Sequence, residues 1–364
     1  MRHGLSFLPD SGSADGSGLS AQEYFAMLMD LSVLADEAGM SHVKITEHYL
    51  QPYGGYCPSP LAFLSAVAAR TQRIRLMTGC LLPVFHHPIQ LASESAMVDA
   101  MSGGRLDIGF ARAYMPYEFD AFGIPMDSSR DRFVSTVSTV QQLWTQEDLS
   151  VQTPFFSFDH ATTLPRPVQA GGPPVWIAAV RSAESFQAAG RNGHGLLVTP
   201  SLSPMADMAA LIDIYRDHYV PRFDGDRPRV LASLPLFVGP TDSSARAIAD
   251  PLLDHYLQVW AGSADSWATR ASADYRGYTG MGYAVRSFTP ERLRTVGGAI
   301  VGSVEHVIDR IESIQDILGV DGFLWQVDFG GVGPEQARSN VELLCSAVIP
   351  KLRTFDRETA GAGV

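Results

Sequence analysis

The sequence predicts an α/β fold, a (β/α)8 TIM barrel with an insertion or lid before its last strand. Three observations predict it. Eight short apolar runs recur along the chain, amphipathic stretches of helical period lie between them, and one long segment at 262–298 breaks the rhythm. The runs lack polar alternation, as expected of strands buried on both faces of a parallel sheet. Eight of them with intervening helices favour a closed barrel over a doubly wound open sheet.

In order, residues 4–8 form the first run and are followed by a polar Gly/Ser loop at 10–18. Tyr24, Leu28, Leu31, Ala35 and Ala38 then recur at helical spacing, and Gly39 ends that helix. Runs at 43–46, 74–82 and 106–110 give strands two to four. In 130–144, Phe133, Val137, Val140 and Trp144 repeat every three or four residues, with Asp127, Ser128 and Ser129 offering a cap. Strands five to seven are expected at 175–180, 196–199 and 230–238, and the last at 323–327. Helical periods cover 204–219, 243–257, 303–318 and 334–352. The segment 262–298 is rich in Gly, Ser, Tyr and Arg, and loops of that length are lids, binding loops or disordered insertions. A length of 364 residues allows two domains, but the strand count predicts one barrel domain over 1–364 with a long mobile insertion at about 262–298.

Composition narrows the function. With 46% hydrophobic and 18% charged residues, disorder is excluded as the dominant state. The balance of 27 basic against 39 acidic side chains, a net charge of −12, argues against nucleic acid or anionic membrane as partner. Cys57, Cys80 and Cys345 are odd in number and widely spaced, which fits a reducing cytoplasm. No secretory leader is evident, and the apolar stretch 74–84 is interrupted by Arg75, Thr78 and Pro83 and is too short to span a bilayer. A soluble cytoplasmic protein is expected. There is no G-x-G-x-x-G, Walker or G-x-S-x-G motif. No metal site is expected: His86 and His87 have only Glu94 nearby, two turns along a helix, and His42 and His48 do not share a face.

Barrel enzymes carry their chemistry at the C-terminal ends of the strands. Glu47, His48, His86, His87, Arg112, Arg181, Ser182 and Thr199 all fall there. Arg112 follows strand four and Arg130 opens the next helix, a position that calls for an anionic partner because it opposes the helix dipole. Ser182 and Ser185 open the helix after strand five, where free N–H groups suit a phosphate. The alternative is that Ser182 merely caps its helix and Arg130 pairs with Asp127 or Asp131; spacing leaves both open.

Five stretches in order resemble the bacterial luciferase-like family of flavin-dependent monooxygenases: VKITEHYL at 43–50, LLPVFHHPIQLASE at 81–94, MSGGRLDIGFARAY at 101–114, EFDAFGIPMDSSR at 118–130 and VWIAAVRSAES at 175–185. GFLWQVDFGG at 322–331 resembles the family's last strand, so the resemblance runs from the first strand to Pro350. It implies a barrel, usually dimeric, that takes reduced FMN from a separate reductase; a homodimer is expected here. Arg112 and Arg130 would clamp the FMN phosphate at the helix start marked by Ser182 and Ser185. Arg181, where the luciferases proper have an acid, would add charge. Thr78 and Gly79 match a segment whose backbone meets the isoalloxazine, in some members through a non-proline cis peptide. Ala111 occupies the place of the luciferases' reactive cysteine, and Thr199 joins the cofactor set as a strand-end residue.

His48 matches the catalytic histidine of the luciferase Glu-His-His motif, with Tyr49 in place of the second histidine. The resemblance thus implies flavin binding rather than light emission from a long-chain aldehyde. The implied reaction is that of a two-component FMNH2-dependent monooxygenase: dioxygen forms a flavin C4a-(hydro)peroxide, which oxygenates a small organic substrate. His48 would handle protons and 262–298 would close over the site. Two alternatives come with the same fold, an F420-dependent oxidoreductase and a non-catalytic flavin-binding subunit. Tyr114, Met115, Phe122, Trp260, Tyr275, Tyr278 and Tyr283 are candidates for pocket or lid, with a mild preference for a bulky or aromatic natural-product intermediate over a simple aldehyde or sulfonate.

Overall fold

The computed structural model describes residues 1–10, 18–201 and 204–352. Most of the expected polar loop at 10–18 and the end of the chain therefore lie outside the described residues. The described residues hold eleven strands: β1 (Arg2–Phe7), β2 (His42–Ile45), β3 (Arg75–Thr78), β4 (Leu106–Phe110), β5 (Leu149–Gln152), β6 (Ser157–Ala161), β7 (Val175–Ala178), β8 (Gly195–Val198), β9 (Val230–Val238), β10 (Ile300–Gly302) and β11 (Gly322–Gln326). Eight form a closed parallel ring in the order β1-β2-β3-β4-β7-β8-β9-β11, with β11 returning to β1. The expected barrel is the observed one. The eight apolar runs are its eight staves.

The other three strands were not anticipated. β5 and β6 form an antiparallel hairpin between β4 and β7, and β10 pairs with the C-terminal part of β9. The third run is shorter than expected, since β3 ends at Thr78 rather than reaching residue 82. Beyond it the Gly79–Cys80 peptide is cis, and Leu81 bridges to Phe110.

The helices are α1 (Ala21–Glu37), α2 (Pro60–Arg70), α3 (Pro88–Met101), α4 (Pro116–Phe122), α5 (Ser129–Thr145), α6 (Ala183–Arg191), α7 (Met205–Asp217), α8 (Asp242–Ala264), α9 (Met281–Arg286), α10 (Pro290–Thr295), α11 (Val304–Leu318) and α12 (Pro334–Leu343). Ser20 and Glu23 form a capping box on α1, satisfying N–H groups that the first turn leaves free. The segment 262–298 is built from the end of α8, two 3-10 turns, α9 and α10. Its Trp267, Tyr275, Met281, Val285 and Leu293 are buried in an apolar cluster that lies over the barrel mouth.

Alternation along the strands sorts the barrel into layers. Leu76, Leu196, Phe323 and Trp325 pack in the outer core against the helices, whereas Met77, Leu197 and Leu324 form a separate inner cluster with Trp176 and Leu231. Toward the N-terminal end, buried Asp107 binds His42 at 3.1 Å and Arg75 at 2.9 Å. Burial opposes its charge, but those two partners hold the Asp107 carboxyl down to about 2. Toward the C-terminal end, Ser6, Lys44, Cys80, Ser233 and Gln326 line a cavity instead. The barrel is plugged below by ions, closed by apolar side chains and polar on top.

Candidate functional site

That cavity has a volume of about 850 Å³ and opens at the C-terminal mouth, bounded by strand ends, α8 and the segment after it. It falls in the size range of small-molecule and cofactor sites. Of the expected site residues, His48, Gly79, Ala111, Arg112, Arg130, Arg181, Ser182, Ser185 and Thr199 all line it. Thr78 does not. Its hydroxyl donates to the Gly109 carbonyl and accepts from the Gly109 N–H, both at 2.9 Å, so the side chain ties β3 to β4 beneath the site.

Each arginine arrives with a partner. Arg112 meets the Asp274 carboxylate at 3.4 Å, donates to the Asp274 carbonyl at 2.9 Å and lies 4.2 Å from the centre of the Tyr275 ring. Arg130 pairs with Glu184 of α6 at 3.2 Å, not with Asp127 or Asp131. Arg181 donates to the Gly277 carbonyl at 3.2 Å and faces the Tyr278 ring. Ser182 occupies the N-cap position of α6, but its hydroxyl makes no cap hydrogen bond. The simple capping explanation therefore fails for both residues. Three guanidinium groups and a helix start surround one space, with two acids facing them.

His48 is the best-defined group. Its Nδ1 lies 3.0 Å from Glu118 Oε1, which also accepts the Tyr49 N–H at 2.9 Å. Both residues are buried, and Glu118 is fully so. A carboxylate only accepts, so Nδ1 carries a proton toward Glu118, and Nε2, with no partner among the described residues, is left to the cavity that His48 lines. Glu118 begins one of the quoted motifs, yet its role was not expected. It reaches His48 from α4, 70 residues away, and no local spacing signals that.

Glu47 is also buried and satisfied. It accepts from Tyr49 Oη at 2.5 Å and the Leu82 N–H at 2.9 Å, and it meets His86 Nε2 at 2.6 Å. Burial pulls the His86 imidazole down, but the Glu47 carboxylate more than offsets this and raises it. The carboxylate missing from sequence around His86 is thus supplied by another strand. His87 instead caps α3, accepting from the Ile89 N–H at 3.3 Å. Among the described residues no group of three or more His, Cys, Asp and Glu side chains could hold a metal ion.

The cavity floor holds a second unexpected set. Lys44 is buried, with Ser233 Oγ at 3.4 Å and no carboxylate within ion-pair distance among the described residues. Burial lowers its ammonium pKa and pushes the neighbouring Cys80 thiol up to about 12. The amide nitrogen of buried Gln326 has no partner among the described residues. A Cβ on Gly79 would lie 2.1 Å from Lys44 Cγ, so glycine is required where the chain passes this side chain. Of the expected aromatic candidates, Tyr114, Trp260, Tyr275 and Tyr278 line the cavity, Met115 is buried outside its lining, and Phe122 and Tyr283 are exposed.

The model of the luciferase-like monooxygenase family matches residues 1–321. The chain belongs to that family. As a luciferase-like monooxygenase it is 27% identical over 336 residues to the oxygenase component of a flavin-dependent trigonelline monooxygenase from Acinetobacter baylyi, covering 90% of each chain. The crystal structure of the monooxygenase RslO1 from Streptomyces bottropensis superposes with a TM-score of 0.80 at 34% identity, over 96% of this chain and 99% of that one. An F420-dependent glucose-6-phosphate dehydrogenase from Nakamurella multipartita is 33% identical over 197 residues, covering 52% of this chain and 57% of its own length. Among the described residues no helix is long and apolar enough to cross a membrane.

Proposed function

We propose that this luciferase-like monooxygenase is an FMN-dependent oxygenase that receives reduced flavin from a separate reductase, consumes dioxygen and oxygenates a small organic substrate. The observation that carries this reading is one cavity holding both the arginines beside the α6 start and a carboxylate-backed histidine. The residues fit a flavin. Arg112, Arg130, Arg181, Ser182 and Ser185 supply donors for a phosphate. Lys44, which lines the cavity without an acid beside it among the described residues, offers a donor to a ring oxygen or nitrogen.

When bound, reduced flavin supplies the two electrons with which dioxygen gives one atom to substrate and one to water. The chain's residues do the rest. Lys44, buried and without an acid beside it among the described residues, favours negative charge at the floor when it is protonated. His48 accepts a proton at Nε2 while Glu118 fixes its tautomer. Tyr275 and Tyr278, from the segment that covers the mouth, exclude water. An F420-dependent oxidoreductase is the second reading, favoured by the F420-dependent relative. His48 with its buried carboxylate weighs against a non-catalytic subunit. A pairing of two copies is proposed with the family resemblance.

The test is equilibrium titration with FMN and F420, followed by chemically reduced FMN and oxygen with a substrate panel. FMN binding with oxygen-dependent product is expected. Preferred F420 binding, or no product under oxygen, would overturn the reading.

A further inference from the structure

The cavity holds a ring system that the cofactor reading leaves unused. His48 lies 5.3 Å from the Tyr53 ring and 6.0 Å from Tyr114. Tyr53 stacks on Trp260 at 5.9 Å with planes 13° apart, and Tyr256 stands 6.1 Å from Trp260. The Tyr53 hydroxyl lies near those of Tyr114 and Tyr256. Tyr53, Tyr256 and Trp260 are each nine-tenths or more buried, yet all line the cavity. Residues 53, 256 and 260 come from two distant parts of the chain, so no periodicity in the sequence marks this group.

His48 Nε2 has no hydrogen-bond partner among the described residues, while Nδ1 is taken by Glu118. Buried polar groups in native structures find partners, and a cavity-lining group of this kind is completed by ligand. A hydroxyl on a flat frame that can lie among rings meets both the imidazole and its aromatic surroundings. A long-chain aldehyde lacks the hydroxyl and the flat frame. A quaternary pyridinium has no hydroxyl to donate, although the rings alone would attract its charge.

We infer that the substrate is a planar hydroxylated aromatic, held among Tyr53, Tyr114, Tyr256 and Trp260 with its ring hydroxyl donating to His48 Nε2. This rests on the cavity being the active site. Withdrawal of the hydroxyl proton by His48 would enrich the ring in electrons, the state in which an aromatic carbon accepts an electrophilic oxygen.

The test uses flavin-free protein and isothermal calorimetry, which does not depend on tryptophan emission. The probes are 2-naphthol, naphthalene, decanal and N-methylpyridinium, with FMN titrated separately into the same preparation. Naphthol should bind about tenfold tighter than naphthalene, the worth of one hydrogen bond to an otherwise unpaired buried group, and tighter than decanal or the pyridinium. His48→Leu, which removes every acceptor at that position, should abolish the preference for naphthol over naphthalene. Equal affinity for naphthol and naphthalene in the parent protein, or tighter decanal or pyridinium binding, would overturn the substrate class even where FMN binds. Naphthol preference without FMN binding would support it and overturn the flavin reading instead.

Discussion

Arg112 provides the sharpest test of how an acidic chain holds an anionic cofactor. Its guanidinium now faces the Asp274 carboxylate at 3.4 Å, with the two side chains 20% and 27% exposed. A partly exposed pair of this kind contributes on the order of 0.2–1 kcal/mol. Charge-assisted hydrogen bonds to a phosphate contribute about 1.5–3 kcal/mol. The difference favours phosphate by about 2 kcal/mol, roughly thirtyfold in Kd. Arg112→Ala should therefore weaken FMN binding by about that factor. Asp274→Asn removes the competitor but keeps the backbone carbonyl that Arg112 also uses at 2.9 Å. It should tighten FMN by roughly threefold at low salt, with the advantage shrinking as ionic strength rises. The assay is quenching of flavin fluorescence at two salt concentrations. In the double variant the gain from Asp274→Asn should vanish, because the cation it released is gone. An unchanged Kd for Arg112→Ala, or a gain that persists without Arg112, would refute the reasoning.

Glu118→Ala removes the acceptor that holds His48 Nδ1–H and with it the orientation of the ring; turnover should fall by about 10²–10⁴ with little change in FMN affinity. Steady-state kcat beside an FMN titration checks this, and retained kcat would contradict it. Gly79→Ala places a Cβ 2.1 Å from Lys44 Cγ and should cost about 1–3 kcal/mol in thermal denaturation, most of it recovered when Lys44→Ala is added. Burial raises the Asp328 carboxyl from its ordinary 3.8 to about 6, against the hydrogen bonds from Tyr24 and Leu8. The native state thus holds that proton more tightly than the unfolded chain. The penalty for ionising it is absent below about pH 4, grows between about pH 4 and 6, and is complete above. Asp328→Asn should raise Tm by a few degrees relative to the parent at pH 7 and have much less effect at pH 4; an equal shift at both would remove Asp328 as the cause.

The barrel was legible because each stave is a short run of Val, Ile, Leu and Phe buried on both sides, such as Leu106–Phe110 and Gly195–Val198. The hairpin β5–β6 was not, since its residues are half-exposed and mix Ser, Asp, His and Gln with apolar ones. β10 has three residues, too few to show a period. In the site, residues that directly follow a strand were readable, because barrel topology alone sends strand ends to one mouth. Glu118, Lys44, Gln326, Asp274 and Glu184 were not read as site residues. Glu118, Asp274 and Glu184 act through partners that folding brings from far along the chain, such as Glu118 with His48, and Lys44 and Gln326 reach the cavity only once the barrel closes. Thr78 shows the converse: sequence position put it at the flavin, while its hydroxyl is fully engaged by Gly109.

Depth along the strands separates stability from chemistry. β2 and the residue that follows it place His42, Lys44 and Thr46 at alternate positions of one short stretch, and each meets a different environment. His42 joins Asp107 and Arg75 in the ionic plug, where every charge has a partner. Lys44, two residues on, is a cation without one. Thr46, two further, donates to the Gly79 carbonyl at 2.8 Å and holds the segment that edges the cavity. An unpaired buried cation costs stability unless something completes it, whereas the paired groups below it need nothing. The same contrast recurs at the mouth, where Glu47 has three donors while Trp260 and Gln326 each leave an N–H unmet. Lys44 at the cavity floor and His48 Nε2 at its wall are thus left for a ligand to complete. Cofactor and substrate would therefore add stability as they bind, and the protein's resistance to heat should report on ligands that turnover assays have yet to find.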